Sequence, residues 1–377
     1  MVFGKVVGVL CNALREPGVL LEALLRLGPQ LEWQDHAGDG TDRRIGKRVE
    51  QPAKPARVEQ HVVIRERDDL RSRLDVALPP GLNLAAESKS EGGKTVKWLW
   101  GMPDGAQVET VLMRYPDRAT VCVSTQAGCA MRCTFCATGQ AGFTRHLTTG
   151  EIVEQVAVAR RAAEPDRLSN VVFMGMGEPM ANYDRMWEAI VRIHRDIGLS
   201  ARHVTVSTVG VVPGIRRLTH EALPVNLAVS LHAANDPLRN SLVPLNKRYP
   251  LPVLMEACRQ YQDVKGRRLS FEWALISGVN DRLSDAEELS ELARPLGAHV
   301  NLIPLNPTPG FRVRGTSPAG VRAFRDHLRR LRVNATVRQN RGTDIDAACG
   351  QLAAGAGVGA VTAGPRPQPP KRPTAPD

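Results

Sequence analysis

The sequence predicts an α/β protein built around a partial (β/α)6 barrel, with a small N-terminal accessory region before it. From about residue 119, short apolar runs of strand length alternate with stretches whose apolar residues recur at helical spacing. Strict alternation of strands and helices favours a parallel sheet with right-handed crossovers. The 377 residues are enough for one large domain with a smaller attachment. In such a fold the chemistry gathers at the C-terminal ends of the strands.

Six predicted strands share a short apolar run bounded by polar or turn-forming residues. They are Thr120–Ser124, Val171–Met174, Val204–Ser207, Leu227–Leu231, Phe271–Ile276 and Val300–Leu305. Apolar residues at helical spacing predict a helix over Tyr183–Ile197. A further strand is expected at Asn334–Val337, leading into a helix around Ile345–Leu352.

Composition divides the chain into four regions. Residues 1–60 form an N-terminal segment and linker, and residues 61–114 form the accessory region that leads into the barrel. Residues 115–352 form the barrel with a C-terminal segment. Residues 353–377 are mostly Ala, Gly and Pro with scattered Arg and Lys, a composition typical of a disordered tail.

The formal net charge of +11 supplies an attractive field for a polyanion such as RNA or DNA. The most apolar opening stretch, Met1–Leu27, is interrupted by charged residues and falls short of the roughly 20 apolar residues that a membrane helix needs. It also lacks the cleavage site of a secretory signal. We therefore expect a cytoplasmic protein without a membrane span. Its seven cysteines are then expected to be thiols, metal ligands or transient catalytic groups.

Three cysteines, Cys129, Cys133 and Cys136, form a C-x3-C-x2-C array directly after the first barrel strand. Three thiolates on one short loop can hold three irons of a [4Fe–4S] cluster and leave the fourth iron free for a substrate. The array resembles that of radical-SAM enzymes, in which S-adenosylmethionine (SAM) occupies this vacancy and is cleaved to a 5′-deoxyadenosyl radical. Structural zinc is the alternative, with His146 as a fourth ligand, but zinc sites normally use C-x2-C pairs.

Polar residues at the ends of further predicted strands are candidates for binding SAM. Gly177 and Glu178 lie in a Gly-rich turn, where carbonyl groups and one acid can receive the amino group of SAM, although such a sequence is often only a tight turn. The remaining candidates stand where ribose and carboxylate contacts would be made, and they are Ser207, Ser230, Leu231, His232 and Asn306. Together these residues predict a site at the mouth of the barrel.

Two further cysteines are harder to explain as core residues than Cys11 and Cys258, which we interpret as packing. Cys122 lies inside the first strand, and Cys349 lies in a polar segment bounded by glycines. The sequence around them resembles the dual-specificity radical-SAM RNA methyltransferases of the RlmN and Cfr type.

The resemblance covers about Val96 to Gln351, roughly two thirds of the chain. It rests on V-E-T-V around Glu109, the cysteine loop, G-E-P, S-L-H, P-L-N-P and R-G-T-D-I-D-A-A-C-G-Q-L. The last motif is closer to the RlmN branch than to the Cfr branch. The N-terminal residues 1–60 do not match the helical domain that members usually carry.

The resemblance implies a mechanism with a methyl-carrying cysteine. Cys349 takes a methyl group from a first SAM, and a second SAM supplies the radical that abstracts hydrogen from this S-methyl group. The carbon radical adds to the adenine ring, and Cys122 then attacks the sulfur of Cys349, which forms a transient disulfide and frees the methylated base. Glu109 matches the position of the proton acceptor; without the resemblance we would interpret it as an exposed strand carboxylate.

The resemblance also implies the substrates and partners. These are the adenosine at the peptidyl-transferase centre of 23S rRNA (the adenine(2503)-C2 type) and adenosine 37 of some tRNAs. A monomer would carry one [4Fe–4S] cluster, use two SAM per turnover and depend on a flavodoxin- or ferredoxin-like electron donor and a thiol reductant. Basic side chains, Arg338 among them, are expected to contact phosphates.

Three other functions stay open at this point. A Cfr-type enzyme would methylate C8 of the same adenosine. A noncatalytic iron–sulfur sensor that binds RNA would leave Cys349, Cys122 and Glu109 without a role. A radical-SAM activase acting on a protein would need neither the additional cysteines nor the basic surface.

Overall fold

A ten-stranded sheet is the frame of the protein in the computed structural model, which describes residues 81–305 and 314–338. The strands of this sheet are β1 Asn83–Lys89, β2 Thr95–Gly101, β3 Gln107–Arg114, β4 Ala119–Cys122, β7 Leu168–Phe173, β8 Val204–Thr208, β9 Asn226–Ser230, β10 Leu269–Leu275, β11 His299–Pro304 and β12 Ala335–Val337. Two further strands, β5 Gln126–Gly128 and β6 Phe143–His146, form a separate pair. All seven predicted strands coincide with observed ones to within a few residues.

Eight α-helices connect these strands in the described part of the chain. They are α1 Ala137–Ala141, α2 Thr149–Ala163, α3 Tyr183–Arg195, α4 Val212–His220, α5 Asp236–Leu242, α6 Leu251–Lys265, α7 Leu283–Ala293 and α8 Pro318–Arg330. The sheet order is β1-β2-β3-β4-β7-β8-β9-β10-β11-β12, and every pair from β4 to β12 is parallel. The alternation of parallel strands and helices confirms the predicted fold class. None of the helices in these ranges is long and apolar enough to cross a bilayer.

Three antiparallel strands, β1 to β3, extend this sheet on the N-terminal side, and the sequence analysis did not predict them. The signal was present at the β2–β3 hairpin, because Pro103-Asp104-Gly105 is a turn sequence between two runs rich in apolar residues. Gly105 adopts a φ of +81°, and Asp104 accepts a hydrogen bond from the backbone N–H of Ala106 at 3.0 Å. The turn chemistry therefore sets the register of the hairpin.

The two faces of the parallel strands differ in polarity. Phe173 and Val206 are cross-strand neighbours, and both are fully buried in the main apolar core that the helices cover. On the opposite face, Ser207, Ser230 and Glu272 line a cavity. Because side chains alternate between the faces of a strand, one sequence supports both the helix-covered core and a polar inner surface.

Helix α2 holds the end of β4 next to this cavity. Thr148 and Glu151 form a capping box at the start of the helix, which satisfies the first backbone N–H groups. One turn further, the fully buried amide of Gln155 accepts from Ser124 N at 2.9 Å and donates to Ser124 O at 3.0 Å. It also accepts from the hydroxyl of Thr110 at 2.8 Å, so that β3 and the residues following β4 are fixed together.

Candidate active site

A cavity of about 200 Å³ lies at the C-terminal ends of the parallel strands. It brings together most of the residues predicted from sequence to bind the cluster and SAM: Cys129, Cys133, Cys136, Gly177, Glu178, Ser207, Ser230 and His232. These residues come from the C-terminal ends of four different strands or from the loops that follow them, as expected for a site in a β/α fold. The predicted residues Asn306 and Cys349 lie outside the described residues, as does Cys11.

The β5–β6 pair closes the base of the cysteine loop. Gly128 has a φ of +74°, and a side chain there would collide with the carbonyl oxygen of Gly142. This close approach lets Cys129 N donate to Gly142 O at 2.6 Å, while Cys136 N donates to Cys133 O at 3.2 Å. The loop is therefore shaped by its own backbone hydrogen bonds.

Two thiols in this loop need a positive partner to ionise, because burial raises the pKa of Cys129 to about 12 and raises the pKa of Cys133 well above its ordinary value. Irons bind thiolates and displace their protons. Three cysteines around one cavity therefore suit an iron–sulfur cluster. Among the described residues no three His, Cys, Asp or Glu side chains surround one point suitable for a single metal ion. A cluster does not require that arrangement, because each cysteine binds a different iron.

His146, the fourth ligand in the zinc alternative, is engaged elsewhere. Its Nδ1 lies 3.0 Å from the amide nitrogen of Gln126, across the β5–β6 pair. Gln126 in turn accepts a hydrogen bond from the backbone N–H of Glu178 at 2.8 Å. His146 thus supports the Gly-Glu-Pro turn, and it is not among the residues that line the cavity.

The Gly-Glu-Pro turn places one buried carboxylate at the cavity. Gly177 has a φ of +99°, and a Cβ there would lie 2.5 Å from the Cβ of Gln126, so only glycine fits. The carboxylate of Glu178 accepts from Met180 N at 3.0 Å and from Val209 N at 2.9 Å. Desolvation raises the pKa of Glu178 to about 7, against the opposing effect of these hydrogen bonds. A cationic group in the cavity would favour the charged form of this carboxyl.

The strand-end serines and His232 line the neighbouring part of the cavity. The hydroxyl oxygens of Ser207 and Ser230 lie 3.5 Å apart. Nδ1 of His232 accepts a hydrogen bond from Ala274 N at 3.0 Å, which places the proton of a neutral ring on Nε2. Burial, together with a nearby cation, lowers the pKa of His232 to about 3, so the ring is neutral at physiological pH. Leu231 is fully buried and is not part of the cavity lining.

Two charged cavity residues were not predicted as parts of this site from sequence. Glu272 is buried, and one carboxylate oxygen accepts from the amide of Asn301 at 2.9 Å. Desolvation raises its pKa. The sequence signal that could have identified Glu272 was a single acidic residue in a mostly apolar strand. Arg338, expected only as a phosphate contact, also lines the cavity.

Glu109 and Cys122 lie in the adjacent strands β3 and β4, and neither lines the cavity. The prediction of an exposed carboxylate, made without the family resemblance, is wrong, because Glu109 is buried and forms an ion pair of 2.9 Å with Lys97. The two side chains are 1% and 0% exposed, respectively. Cys122 is buried beside Val111, its cross-strand neighbour. Met174 packs against this apolar cluster and also lines the cavity, so it connects the two places.

Cys258 has the structural role that the sequence analysis assigned to it. It lies in α6, has no solvent-accessible surface and packs in the main apolar core. Burial raises the pKa of its thiol to about 12.

A three-cysteine loop after the first parallel strand of a β/α fold, with polar strand ends around one cavity, defines a radical-SAM enzyme. A model of the Radical SAM superfamily matches residues 123–293. A radical SAM methyltransferase from Sphaerobacter thermophilus is similar in structure, with a TM-score of 0.72 and 51% identity, over 75% of this chain and 84% of that chain.

The curated relatives narrow the class to one family. A probable dual-specificity RNA methyltransferase RlmN of Frankia casuarinae is 54% identical over 297 residues, which cover 76% of this chain and 70% of the relative. Dual-specificity RNA methyltransferase RlmN 1 of Myxococcus xanthus is 54% identical over 272 residues, covering 71% of this chain and 76% of the relative. The chain belongs to the RlmN family of radical-SAM RNA methyltransferases. A [4Fe–4S] cluster, SAM and an RNA substrate follow from this membership.

Proposed function

We propose that the protein methylates C2 of an adenosine in 23S rRNA, of the adenine(2503) type, and adenosine 37 of some tRNAs, with two SAM per turnover. The observation that supports this most is the burial of Cys122 in an apolar cluster that Met174 joins to the three-cysteine cavity, with the buried Glu109–Lys97 pair in the neighbouring strands β2 and β3. A radical-SAM enzyme without a cysteine-bound intermediate has no evident need for these groups.

The cavity residues bind and orient the cofactors. Cys129, Cys133 and Cys136 hold the cluster, which supplies, when bound, the electron that cleaves SAM to a 5′-deoxyadenosyl radical. Glu178 and the carbonyls near Gly177 receive the amino group of SAM. Further contacts come from the hydroxyl groups of Ser207 and Ser230 and from the imidazole of His232. The backbone of Leu231, which does not line the cavity, and the amide of Asn306, which lies outside the described residues, stay predictions from the sequence.

Cys349 carries the methyl group, and Cys122 releases the product. In this cycle the thiolate of Cys122 attacks the sulfur of Cys349, and a transient disulfide replaces the bond to the methylated base. The burial of Cys122 limits the access of other oxidants to its thiol. A thiol reductant and a flavodoxin- or ferredoxin-like donor would restore the enzyme, which we expect to be a cytoplasmic monomer.

Glu109 accepts the proton that leaves the adenine ring. Its carboxylate is almost completely buried and is paired with Lys97 at 2.9 Å, so bulk water does not compete for it. The Lys97 ammonium is the observed partner of this carboxylate, so proton transfer from the ring would take place beside a fixed positive charge.

The decisive experiment is a comparison of Cys122→Ala and Cys349→Ala proteins purified from cells that express them. If Cys122 resolves the intermediate, the Cys122→Ala protein should carry covalently bound RNA at Cys349, and the Cys349→Ala protein should carry none. Mass spectrometry of digested protein and RNA detects the adduct. Absence of RNA from both proteins would contradict the mechanism, and methylation at C8 in RNA treated with the wild-type enzyme would assign the protein to the Cfr-type reaction.

A further inference from the structure

Arg239 in α5 is a buried cation that connects the loops of the cavity. It is 1% exposed. Its Nε donates to Leu231 O at 3.0 Å, and its Nη2 donates to Val209 O at 2.6 Å and to Ser230 O at 3.3 Å. Its Nη1 donates to the side-chain oxygen of Asn246 at 2.6 Å. One guanidinium thus holds the chain after β8 and the chain after β9 in a fixed relation.

All of these acceptors are neutral. Within residues 81–305 and 314–338, Arg239 forms no ion pair with a carboxylate, and the nearby Asp236 accepts from Asn246 and from Leu251 N instead. Burial lowers the pKa of Arg239 only to about 10, so the group remains charged at neutral pH. A buried charge is costly unless an opposite charge lies nearby. Asp236 supplies one such charge without contacting the guanidinium, and a further anion near α5 would stabilise Arg239 more.

The cysteine loop is the adjacent place where an anion would form. Cys133 packs against Leu238 and Leu242 of α5, and Thr134 N donates to Leu242 O at 3.1 Å. A negative charge on Cys133, Asp236 or Cys258 would raise the pKa of Arg239, and a charge on Cys133 would have the largest effect of the three. Thiolates bound to a cluster carry net negative charge, and reduction adds one more electron to that cluster.

We propose that Arg239 is a positioning residue that sets the reduction potential of the cluster and holds the SAM-binding loops. This inference rests on the proposed cluster site. A fixed cation in a dry region stabilises the reduced cluster more than the oxidised one, because the reduced cluster is more negative; reduction therefore becomes easier. The same side chain fixes Val209, whose N–H donates to Glu178, and it also fixes the backbone of Ser230.

The test is a redox titration of the reconstituted full-length enzyme, followed by electron paramagnetic resonance, with Arg239→Gln and Arg239→Lys variants. Arg239→Gln should reduce the equilibrium constant for cluster reduction at least tenfold, a shift of 59 mV to more negative potential for one electron. Arg239→Lys keeps the charge and should shift the potential much less. SAM binding, measured separately by equilibrium dialysis, should weaken in both variants because neither side chain reproduces the four hydrogen bonds.

Two more variants separate charge from structure. Asp236→Asn removes the opposing charge and keeps an oxygen acceptor for Asn246 and Leu251 N, so the potential should move in the positive direction. Folding damage alone has no reason to produce this reversal of sign. Arg217→Gln removes an arginine whose side chain is 51% exposed and should leave the potential unchanged.

Specific results would overturn the inference. An unchanged potential in both Arg239→Gln and Asp236→Asn would refute the electrostatic role, and equal shifts in Arg239→Gln and Arg239→Lys would assign the effect to hydrogen bonding instead of charge. If Arg239→Gln holds no iron, Asp236→Asn and Arg239→Lys decide the question. A wild-type protein that holds no cluster would refute the proposed function itself, whereas a normal cluster with insensitive potentials would refute only the role of Arg239.

Discussion

Loss of the lysine in the Lys97–Glu109 pair should destabilise the fold far more than loss of a surface lysine. Both side chains are almost completely buried, and the atoms that pair are 2.9 Å apart. Removing one partner of a buried ion pair costs about 3–5 kcal/mol, because the other charge is left in a dry environment without that partner. We expect this loss for Lys97→Met, whose side chain has similar length. This loss is a large fraction of the free energy of unfolding of a typical folded protein, which is roughly 5–15 kcal/mol.

The measurement is urea unfolding of the anaerobically purified full-length protein, followed by the fluorescence of its five tryptophans, among them Trp98 and Trp100 in the same strand as Lys97. Lys97→Met, Glu109→Gln and the double variant form a thermodynamic cycle. The double variant should lose much less stability than the sum of the two single losses, because no buried charge of the pair remains unpaired. Additive losses, or single losses below about 1 kcal/mol, would refute the reasoning.

The matched control is Lys89→Met. Lys89 forms an ion pair of 2.7 Å with Glu87, but its side chain is 59% exposed. Exposed pairs contribute at most about 1 kcal/mol, since water already solvates both charges. A large loss in this control would show that lysine substitution in this part of the sheet is harmful for reasons other than the buried pair.

Three further outcomes follow from the cavity. Folding raises the pKa of Glu178 to about 7 from 4.5, so the folded state binds a proton more tightly than the unfolded state. Cluster-free protein should therefore lose at most about 3 kcal/mol of stability as pH rises through this window. Urea unfolding at pH 5 and pH 8 measures this loss, and Glu178→Gln should remove it. Gly177→Ala should lower the free energy of unfolding by more than the roughly 1–3 kcal/mol of backbone strain alone, because the new Cβ would also collide with Gln126. It should also weaken SAM binding measured by dialysis. Unchanged stability would contradict this. Cys258→Ala should cost about 1 kcal/mol and keep full iron content, whereas Cys133→Ala should lose the cluster, as iron analysis and visible absorption would show.

The parallel half of the fold was predictable because its strands and helices repeat a simple pattern. Each predicted strand has an apolar face that the helices cover, and this is visible in one sequence without knowledge of its neighbours. The strands Thr95–Gly101 and Gln107–Arg114 were missed although their hairpin turn is readable. Their buried positions include Lys97 and Glu109, and two charged residues weaken the apolar pattern of a strand.

The candidate site was predictable where spacing along the chain carries the chemistry. The three cysteines lie within eight residues of one another, so their common loop is evident from sequence. Lys97 pairs with Glu109 from the neighbouring strand, and Arg239 donates hydrogen bonds to carbonyl groups after two other strands. These partners come together only in the folded structure. The register that places Lys97 opposite Val111, and Leu99 opposite Glu109, has to be known before the ion pair can be inferred.

The hydrogen bonds that shape the cysteine loop have a consequence for the assembly of the metal centre. Residues 126–128 pair with residues 143–146, and the bond from Cys129 N to Gly142 O joins the two ends through backbone atoms alone. None of these hydrogen bonds uses a cysteine sulfur, so all of them are compatible with thiolates bound to iron. In small zinc domains the metal organises most of the polypeptide, whereas in this loop backbone pairing supplies part of the order and lowers the entropy that metal binding has to offset.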